Sequence, residues 1–214
     1  MNRAGGLRRG GPRLDPRRRV LIVCEGKLTE PSYFKDYLRE NRNQLVMVEI
    51  VPDRGVPKSV VDYAADRKKQ AEKHSRRRAD PYLKFDEVWC VFDVDEHPHL
   101  PEALQQAKDN KIRVALSNPN FELWILLHFQ DLFRHEHRDV IGRLCREHMP
   151  EYQKLVNFEL LRAGYEDAVR RAGTLEKLQI QKGAPDGNPS TGVYKLTERI
   201  RELGKDNFLR QASR

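Results

Sequence analysis

The sequence feature that most constrains the fold is the stretch Val88–Asp95, an apolar run that ends in two aspartates. Residues 88–92 are β-branched, aromatic or cysteine, which is typical of a strand buried on both faces of a parallel sheet. Asp93 and Asp95 follow at the place where open α/β sheets bind their ligands. Because successive strand residues point to opposite faces, the i, i+2 spacing turns both carboxylates the same way.

Two further acidic residues follow predicted strands in the same manner. Glu25 comes directly after the apolar run Arg19–Cys24, and Glu122 comes after a predicted strand at Ile112–Leu116. The carboxyl ends of parallel strands share one edge of the sheet, so we expect Glu25, the aspartate pair and Glu122 to converge there. Clustered carboxylates are unfavourable unless a cation or a proton neutralises them. Oxygen ligands suit Mg²⁺ or Mn²⁺, and such an ion can stabilise a phosphoryl group under attack.

Structural roles remain open for each of these acids. An aspartate at a strand end is usually a turn or helix-cap residue, and Glu25-Gly26 can be an ordinary turn. Glu122 lies in the otherwise apolar segment Ser117–Phe129, where a carboxylate needs a partner, a proton or a metal, and pairing with an arginine is one alternative. In the same segment, His128 is expected to be a packed core histidine. Cys24, Cys90 and Cys145 are an odd, widely spaced set, and Cys24 and Cys90 lie in predicted buried strands, so we expect these two to be core residues and not disulfide partners or zinc ligands.

The order of predicted elements indicates an α/β fold. Strands at 19–24, 45–51, 88–93 and 112–116 alternate with helices, which predicts βαβ units and a mostly parallel four-stranded sheet flanked by helices. Further helices are predicted near 137–148, 153–162, 165–182 and 190–204. The domain prediction is a disordered basic tail at 1–18, an α/β core at 19–130 and a helical C-terminal region at 131–214 packed on that core.

The positive charge of the chain is concentrated in two short segments. The 214 residues carry a formal net charge of +8. Residues 1–19 and 67–78 each carry +6, so the rest of the chain is acidic. Such segments can bind the phosphates of nucleic acid, although a disordered tail and a solvated helix face are the alternatives. The candidate phosphate-binding residues in the second segment are Arg67, Lys68, Lys69, Arg76, Arg77 and Arg78.

Two functional classes do not suit this sequence. No apolar run is long enough to span a membrane, and no signal-type segment follows the basic N-terminus, so a cytoplasmic protein without a membrane partner is expected. An ATPase is excluded because the chain has no G-x-x-x-x-G-K-[ST] loop to hold the phosphates.

Four motifs resemble the RloB-like family, whose fold is similar to the Toprim domain. They are V-C-E-G-K-L-T-E-P-S-Y-F (Val23–Phe34), F-D-V-D (Phe92–Asp95), S-N-P-N-F-E-L-W-I-L-L-H-F (Ser117–Phe129) and N-P-S-T-G-V-Y-K-L (Asn188–Leu196). The resemblance implies a bacterial protein of phage-defence or abortive-infection loci, typically beside an AAA/ABC-type ATPase partner.

The resemblance also implies roles for individual residues. Glu25 corresponds to the Toprim glutamate, a general acid/base or metal ligand, and Asp93 with Asp95 to the metal-binding pair. Glu30 falls near a second acidic position of related nucleases, with helix capping as the alternative. Those nucleases also use a late lysine, for which Lys182 and Lys195 are candidates.

The function expected from these features is Mg²⁺- or Mn²⁺-dependent hydrolysis of phosphodiesters in DNA or RNA. The alternative is a non-catalytic regulatory or nucleic-acid-binding subunit of an ATPase-containing defence complex. A topoisomerase is disfavoured, since the chain has no obvious room for the additional domain that usually carries its tyrosine nucleophile.

Overall fold

The part of the chain that the structure describes folds around a five-stranded sheet with helices on both faces. This computed structural model describes residues 17–41, 46–94 and 99–212, with side chains as far as residue 205. Most of the predicted tail, residues 1–16, lies outside the described residues. The strands are β1 (Arg18–Cys24), β2 (Val46–Val51), β3 (Glu87–Asp93), β4 (Arg113–Asn118) and β5 (Ser190–Thr191). The helices are α1 (Thr29–Asn41), α2 (Pro57–Arg78), α3 (Leu100–Asp109), α4 (Glu122–Leu126), α5 (Arg138–His148), α6 (Phe158–Arg162), α7 (Tyr165–Gln181) and α8 (Val193–Ala212), with a 3₁₀ turn at Pro81–Leu83.

The sheet order is β2-β1-β3-β4-β5, and the first four of these strands run parallel. This arrangement confirms the predicted α/β fold with a mostly parallel sheet and is compatible with a Toprim-like fold. β5 adds two residues antiparallel to β4, within a stretch that the sequence predicts as helix. Thr191 and Ser190 pair with Ser117 and Asn118, and the Ser117 and Thr191 hydroxyls hydrogen-bond across the pair at 3.0 Å. Helix α8 therefore begins only at Val193.

The two faces of the sheet carry separate hydrophobic clusters. Along β1, Val20, Ile22 and Cys24 belong to one cluster, whereas Leu21 and Val23 belong to the other, as the alternation of a strand requires. Apolar residues of α1, α4, α5, α6, α7 and α8 pack in the first cluster, and those of α2 and α3 in the second. The sheet is therefore buried on both faces, which explains the unbroken apolar runs of β1 and β3.

The C-terminal helices share the first cluster with the strands. Leu161 of α6, Leu175 of α7 and Leu196 of α8 are buried in it. The helix predicted at 153–162 is wrong in its first half, since α6 begins only at Phe158. Lys154 has a φ of 70°, in the left-handed region that ends a helix, and the Asn157 side chain caps the N-terminus of α6.

Helix α2 changes character along its length. Its early apolar residues Val60, Val61 and Ala64 are buried against the sheet, and its last turn is Arg76–Arg78. It ends at Ala79, whose φ of 51° is left-handed. None of the described helices is long and apolar enough to cross a membrane.

Candidate metal centre

Glu25 and Asp93 meet at the carboxyl edge of the sheet. Glu25 follows β1 directly and Asp93 ends β3, and these strands are paired in parallel. The Glu25 N–H donates to the Val91 carbonyl oxygen at 2.9 Å. In return, the Asp93 N–H donates to Glu25 Oε2 at 3.0 Å. The structure therefore brings together two acids that the sequence predicts to converge from separate strands.

A cleft of about 310 Å³ opens at this edge. Four carboxylates line it, those of Glu25, Glu30, Asp93 and Glu122. Three basic side chains also line it, those of Lys27, Arg138 and Lys154. The cleft thus combines acids that can hold a cation with bases that can contact an anionic substrate.

The surroundings of Asp93 disfavour its negative charge. Burial is the main cause that raises the pKa of Asp93 well above its ordinary value. The charges of Glu30, Glu122 and Glu25 raise it further, and Arg138 opposes them. Carboxylates that raise one another's pKa repel one another when they are ionised, and a bound cation would offset this repulsion.

Glu30 lies in the first turn of α1 and is buried, with 6% of its surface exposed. Burial is the largest cause that raises its pKa, and the charges of Glu122 and Glu25 add to the effect. The Glu30 carboxylate packs against Gly26: a Cβ on Gly26 would lie 2.2 Å from Glu30 Oε2. Glycine after Glu25 therefore leaves room for Glu30 to enter the cleft.

Glu122 is the first residue of α4 and is also buried, at 4% exposure. Its Oε1 accepts hydrogen bonds from Lys154 Nζ and from the Tyr152 hydroxyl, the latter at 3.3 Å. The carboxylate thus has a cationic partner, a lysine instead of the arginine considered from the sequence. It nevertheless faces the same cleft as Asp93.

The donor chemistry of this cleft fits a hard divalent ion. Carboxylate oxygens are the preferred ligands of Mg²⁺ and Mn²⁺, so Glu25 and Asp93 are candidate ligands among the described residues. Of the other predicted ligands, Glu30 and Glu122 line the cleft, and Asp95 lies outside the described residues. Within residues 17–41, 46–94 and 99–212, no group of three His, Cys, Asp or Glu side chains is arranged to hold a metal ion.

The structure does not bring the basic run 67–78 to this cleft. In a parallel β-α-β unit the crossover helix runs back from the carboxyl edge to the amino edge of the sheet. Helix α2 has 22 residues, or about 33 Å at the usual helical rise. Its exposed last turn, Arg76–Arg78, therefore lies towards the opposite edge of the sheet from Glu25.

Part of the same run makes contacts within the protein. Arg67 pairs with Glu49 of β2, and Lys68 Nζ donates to the carbonyl oxygens of Asn110 and Lys111 at 2.7 and 3.2 Å. Lys69 is exposed, as are the three arginines of the last turn. Arg67 and Lys68 thus have structural partners, whereas the exposed residues stay candidates for contacting nucleic acid.

Sequence reasoning missed the basic side chains of the cleft. Lys27 follows Glu25 by two residues and could have been noticed, but Arg138 and Lys154 come from distant segments that no local pattern links to the sheet edge. The late lysines considered from the resemblance lie elsewhere: Lys195 pairs with Glu176, and Lys182 follows the end of α7.

His128 is a core residue, as the sequence predicts. It is 5% exposed, and its Nδ1–H donates to the Trp124 carbonyl oxygen at 2.9 Å. Burial is the main cause that lowers its pKa to about 4, so it is neutral at pH 7. The three cysteines are also buried, with free thiols.

Comparison with known proteins identifies the family. No curated protein and no solved structure is similar enough to this chain to count as a match. The family model described as "RloB-like protein" matches residues 20–200, which contain both the α/β core and the C-terminal helices. The chain therefore belongs to the RloB-like family.

Proposed function

We propose that this protein is a metal-dependent nuclease that hydrolyses phosphodiesters of DNA or RNA. The observation that carries the proposal is the meeting of Glu25 and Asp93, held by the 3.0 Å hydrogen bond, in a cleft with two more carboxylates. Mutual repulsion of such carboxylates favours binding of Mg²⁺ or Mn²⁺. The basic side chains in the same cleft suit a phosphate-containing substrate.

The proposal assigns roles to the two aspartates, to Glu25 and to two of the basic residues. Asp93 and Asp95 hold the divalent ion, which when bound supplies the positive charge that phosphodiester hydrolysis needs. Glu25 is oriented by the Asp93 N–H and acts as a further ligand or as the base for the attacking water. Lys27 and Arg138 contact the phosphate oxygens and so position the scissile bond.

The cellular setting proposed for this activity is bacterial phage defence with an AAA/ABC-type ATPase partner. This part follows from the family resemblance. The basic residues at the end of α2 lie away from the cleft, so in this proposal they hold a distant part of the nucleic acid and steer it electrostatically.

A second candidate function is a non-catalytic subunit that binds nucleic acid or regulates the ATPase. It is favoured by Glu122, whose carboxylate is already neutralised by Lys154 and hydrogen-bonded by Tyr152. A buried acid with a complete set of partners suits a structural role as well as a catalytic one.

The test compares the wild type with Asp93→Asn, a substitution that keeps the hydrogen bond from the backbone N–H of residue 93 to the Glu25 carboxylate. Each protein is incubated with supercoiled DNA, single-stranded DNA, messenger RNA and transfer RNA in Mg²⁺ or Mn²⁺, alone and with the ATPase. We expect cleavage of at least one substrate by the wild type, none by the variant, and none in a chelator. If the wild type cuts nothing under any condition, while Asp93→Asn still protects cells from phage, the non-catalytic function is correct.

A further inference from the structure

The segment between α5 and α6 places a lysine ammonium in the carboxylate cleft. Lys154 Nζ donates to Glu122 Oε1, and the hydroxyl of Tyr152, two residues earlier, donates to the same oxygen. Only 5% of the Glu122 side chain is exposed, against 56% for Lys154. The buried carboxylate thus meets a cation that reaches it from the solvent side.

The backbone at Lys154 adopts a conformation that is uncommon for a lysine. Its φ of 70° lies in the left-handed region, which residues other than glycine and asparagine rarely adopt. Backbone conformations of this kind persist where the surrounding structure holds them, and they cluster at functional sites. Two hydrogen bonds from one short segment to one carboxylate oxygen are such a constraint.

The charges of the cleft indicate what the ammonium does there. Of the four carboxylates, Glu25 is held by the backbone N–H of Asp93, Glu30 packs against Gly26, and Glu122 has its own cation. Sites that bind two divalent ions use carboxylates to hold both. Both described hydrogen bonds of Glu122 go to Oε1, so a second ion at Oε2 would lie close to the Lys154 ammonium, and the two positive charges would repel each other.

We infer that Lys154 takes the place of a second metal ion, so that the cleft binds a single divalent ion at Asp93, next to Glu25, with the ammonium fixed at Glu122. This inference rests on the proposed function, since it assumes that the cleft binds metal. Lys154 is then a positioning residue: it neutralises Glu122 and keeps a second ion out.

The test is the number of Mn²⁺ ions bound per full-length chain, measured by calorimetry and by electron paramagnetic resonance. The wild type should bind one ion in the cleft. Lys154→Met, which removes the charge but keeps the length of the side chain, should bind two, with the spectral coupling of neighbouring Mn²⁺ ions. Lys154→Asn removes the same charge with a residue that tolerates a positive φ, and it serves if the methionine variant does not fold.

Two controls separate charge from packing. Lys154→Arg keeps the positive charge and should still bind one ion. Lys195→Met disrupts a lysine–glutamate pair outside the cleft, the one with Glu176, and should also leave the number at one. Two ions bound by the wild type, or one ion bound by each of the two uncharged variants, would overturn the inferred role of Lys154 but not the proposed metal site. A wild type that binds no Mn²⁺ would instead overturn the proposed metal site, and the inference with it.

Discussion

The backbone N–H of Asp93 donates a hydrogen bond to the carboxylate of Glu25, 68 residues earlier in the chain, at 3.0 Å. This bond joins the carboxyl ends of β1 and β3 and fixes the direction of the Glu25 carboxylate. Since the donor belongs to the backbone, a change of the Asp93 side chain leaves the bond in place. The charge of Asp93 can therefore be removed without separating the two strand ends.

Asp93→Asn should weaken Mn²⁺ binding by at least about tenfold, because it removes a charged ligand from the proposed site. Without metal, the same variant should melt at a higher temperature than the wild type, since burial and three neighbouring carboxylates disfavour the Asp93 charge. Calorimetric titration measures the affinity, and thermal melting with and without Mn²⁺ measures the stability.

The control for this variant is Asp53→Asn. Asp53 is exposed beyond β2, near Gly26, whose carbonyl oxygen accepts from the Asp53 N–H at 3.0 Å. The substitution removes one negative charge near the cleft without touching a proposed ligand, so Mn²⁺ affinity should hardly change. An equal loss of affinity in both variants would indicate a general field effect and no specific role for Asp93.

The exposed arginines at the end of α2 should contribute to nucleic-acid binding and not to stability. Replacing Arg76, Arg77 and Arg78 by alanine should leave the melting temperature nearly unchanged, because the described contact of Arg76 is a 4.0 Å pair with Glu72 at an exposed site. If all three contact phosphates, the slope of the logarithm of affinity against the logarithm of salt concentration should fall by about 3. Fluorescence anisotropy with labelled DNA or RNA measures this slope.

Arg67→Ala provides the contrasting change in the same basic run. Arg67 pairs with Glu49, and its guanidinium lies 6.0 Å from the centre of the Phe85 ring. Losing both contacts should lower the free energy of unfolding by about 1 kcal/mol, with little effect on the salt slope. A large loss of nucleic-acid binding in Arg67→Ala, with no loss in the triple variant, would contradict the prediction. It would indicate that the phosphate contact lies at Arg67 and not in the last turn of α2.

The positions of Glu25 and Asp93 were predictable because local patterns determine them. Each follows an apolar run, and parallel strands place such ends at one edge. Lys154 and Arg138 carry no comparable signal. Lys154 contacts Glu122 across 32 residues of sequence, and Arg138 begins helix α5, so only the tertiary packing brings these two residues to the cleft. β5 was missed for the same reason: a two-residue strand is defined by its partner, here Ser117 and Asn118, and not by its own sequence.

His128 should make the stability of the protein depend on pH in a defined range. Burial holds its pKa at about 4, against an ordinary value of 6.5, with Arg171 of α7 adding to the effect. The rings of Tyr33 and Tyr165 face it from α1 and α7. Between pH 4 and pH 6.5 His128 binds a proton in the unfolded chain but not in the folded one. The contribution of neutral His128 to the free energy of unfolding is therefore full above pH 6.5 and falls as the pH drops towards 4.

The measurement is urea unfolding of the wild type and of His128→Gln over this pH range. His128 should contribute a loss of about 3 kcal/mol between the two pH limits, which the glutamine variant lacks. The difference between the two curves isolates His128 from the carboxylates that titrate in both proteins. Parallel curves would show that His128 is protonated without penalty in the folded state.

Gly164 is required by a close approach between two backbones. A Cβ at this position would lie 1.9 Å from the carbonyl oxygen of His128, an atom that cannot move without displacing the buried helix end. Gly164→Ala should therefore lower the free energy of unfolding by more than about 2 kcal/mol, measured by urea unfolding. Gly173, inside α7, is the matched control because a Cβ there meets no atom within 4 Å. Gly173→Ala should raise stability by up to about 1 kcal/mol through helix propensity, and a similar gain in Gly164→Ala would contradict the close packing of this loop on α4.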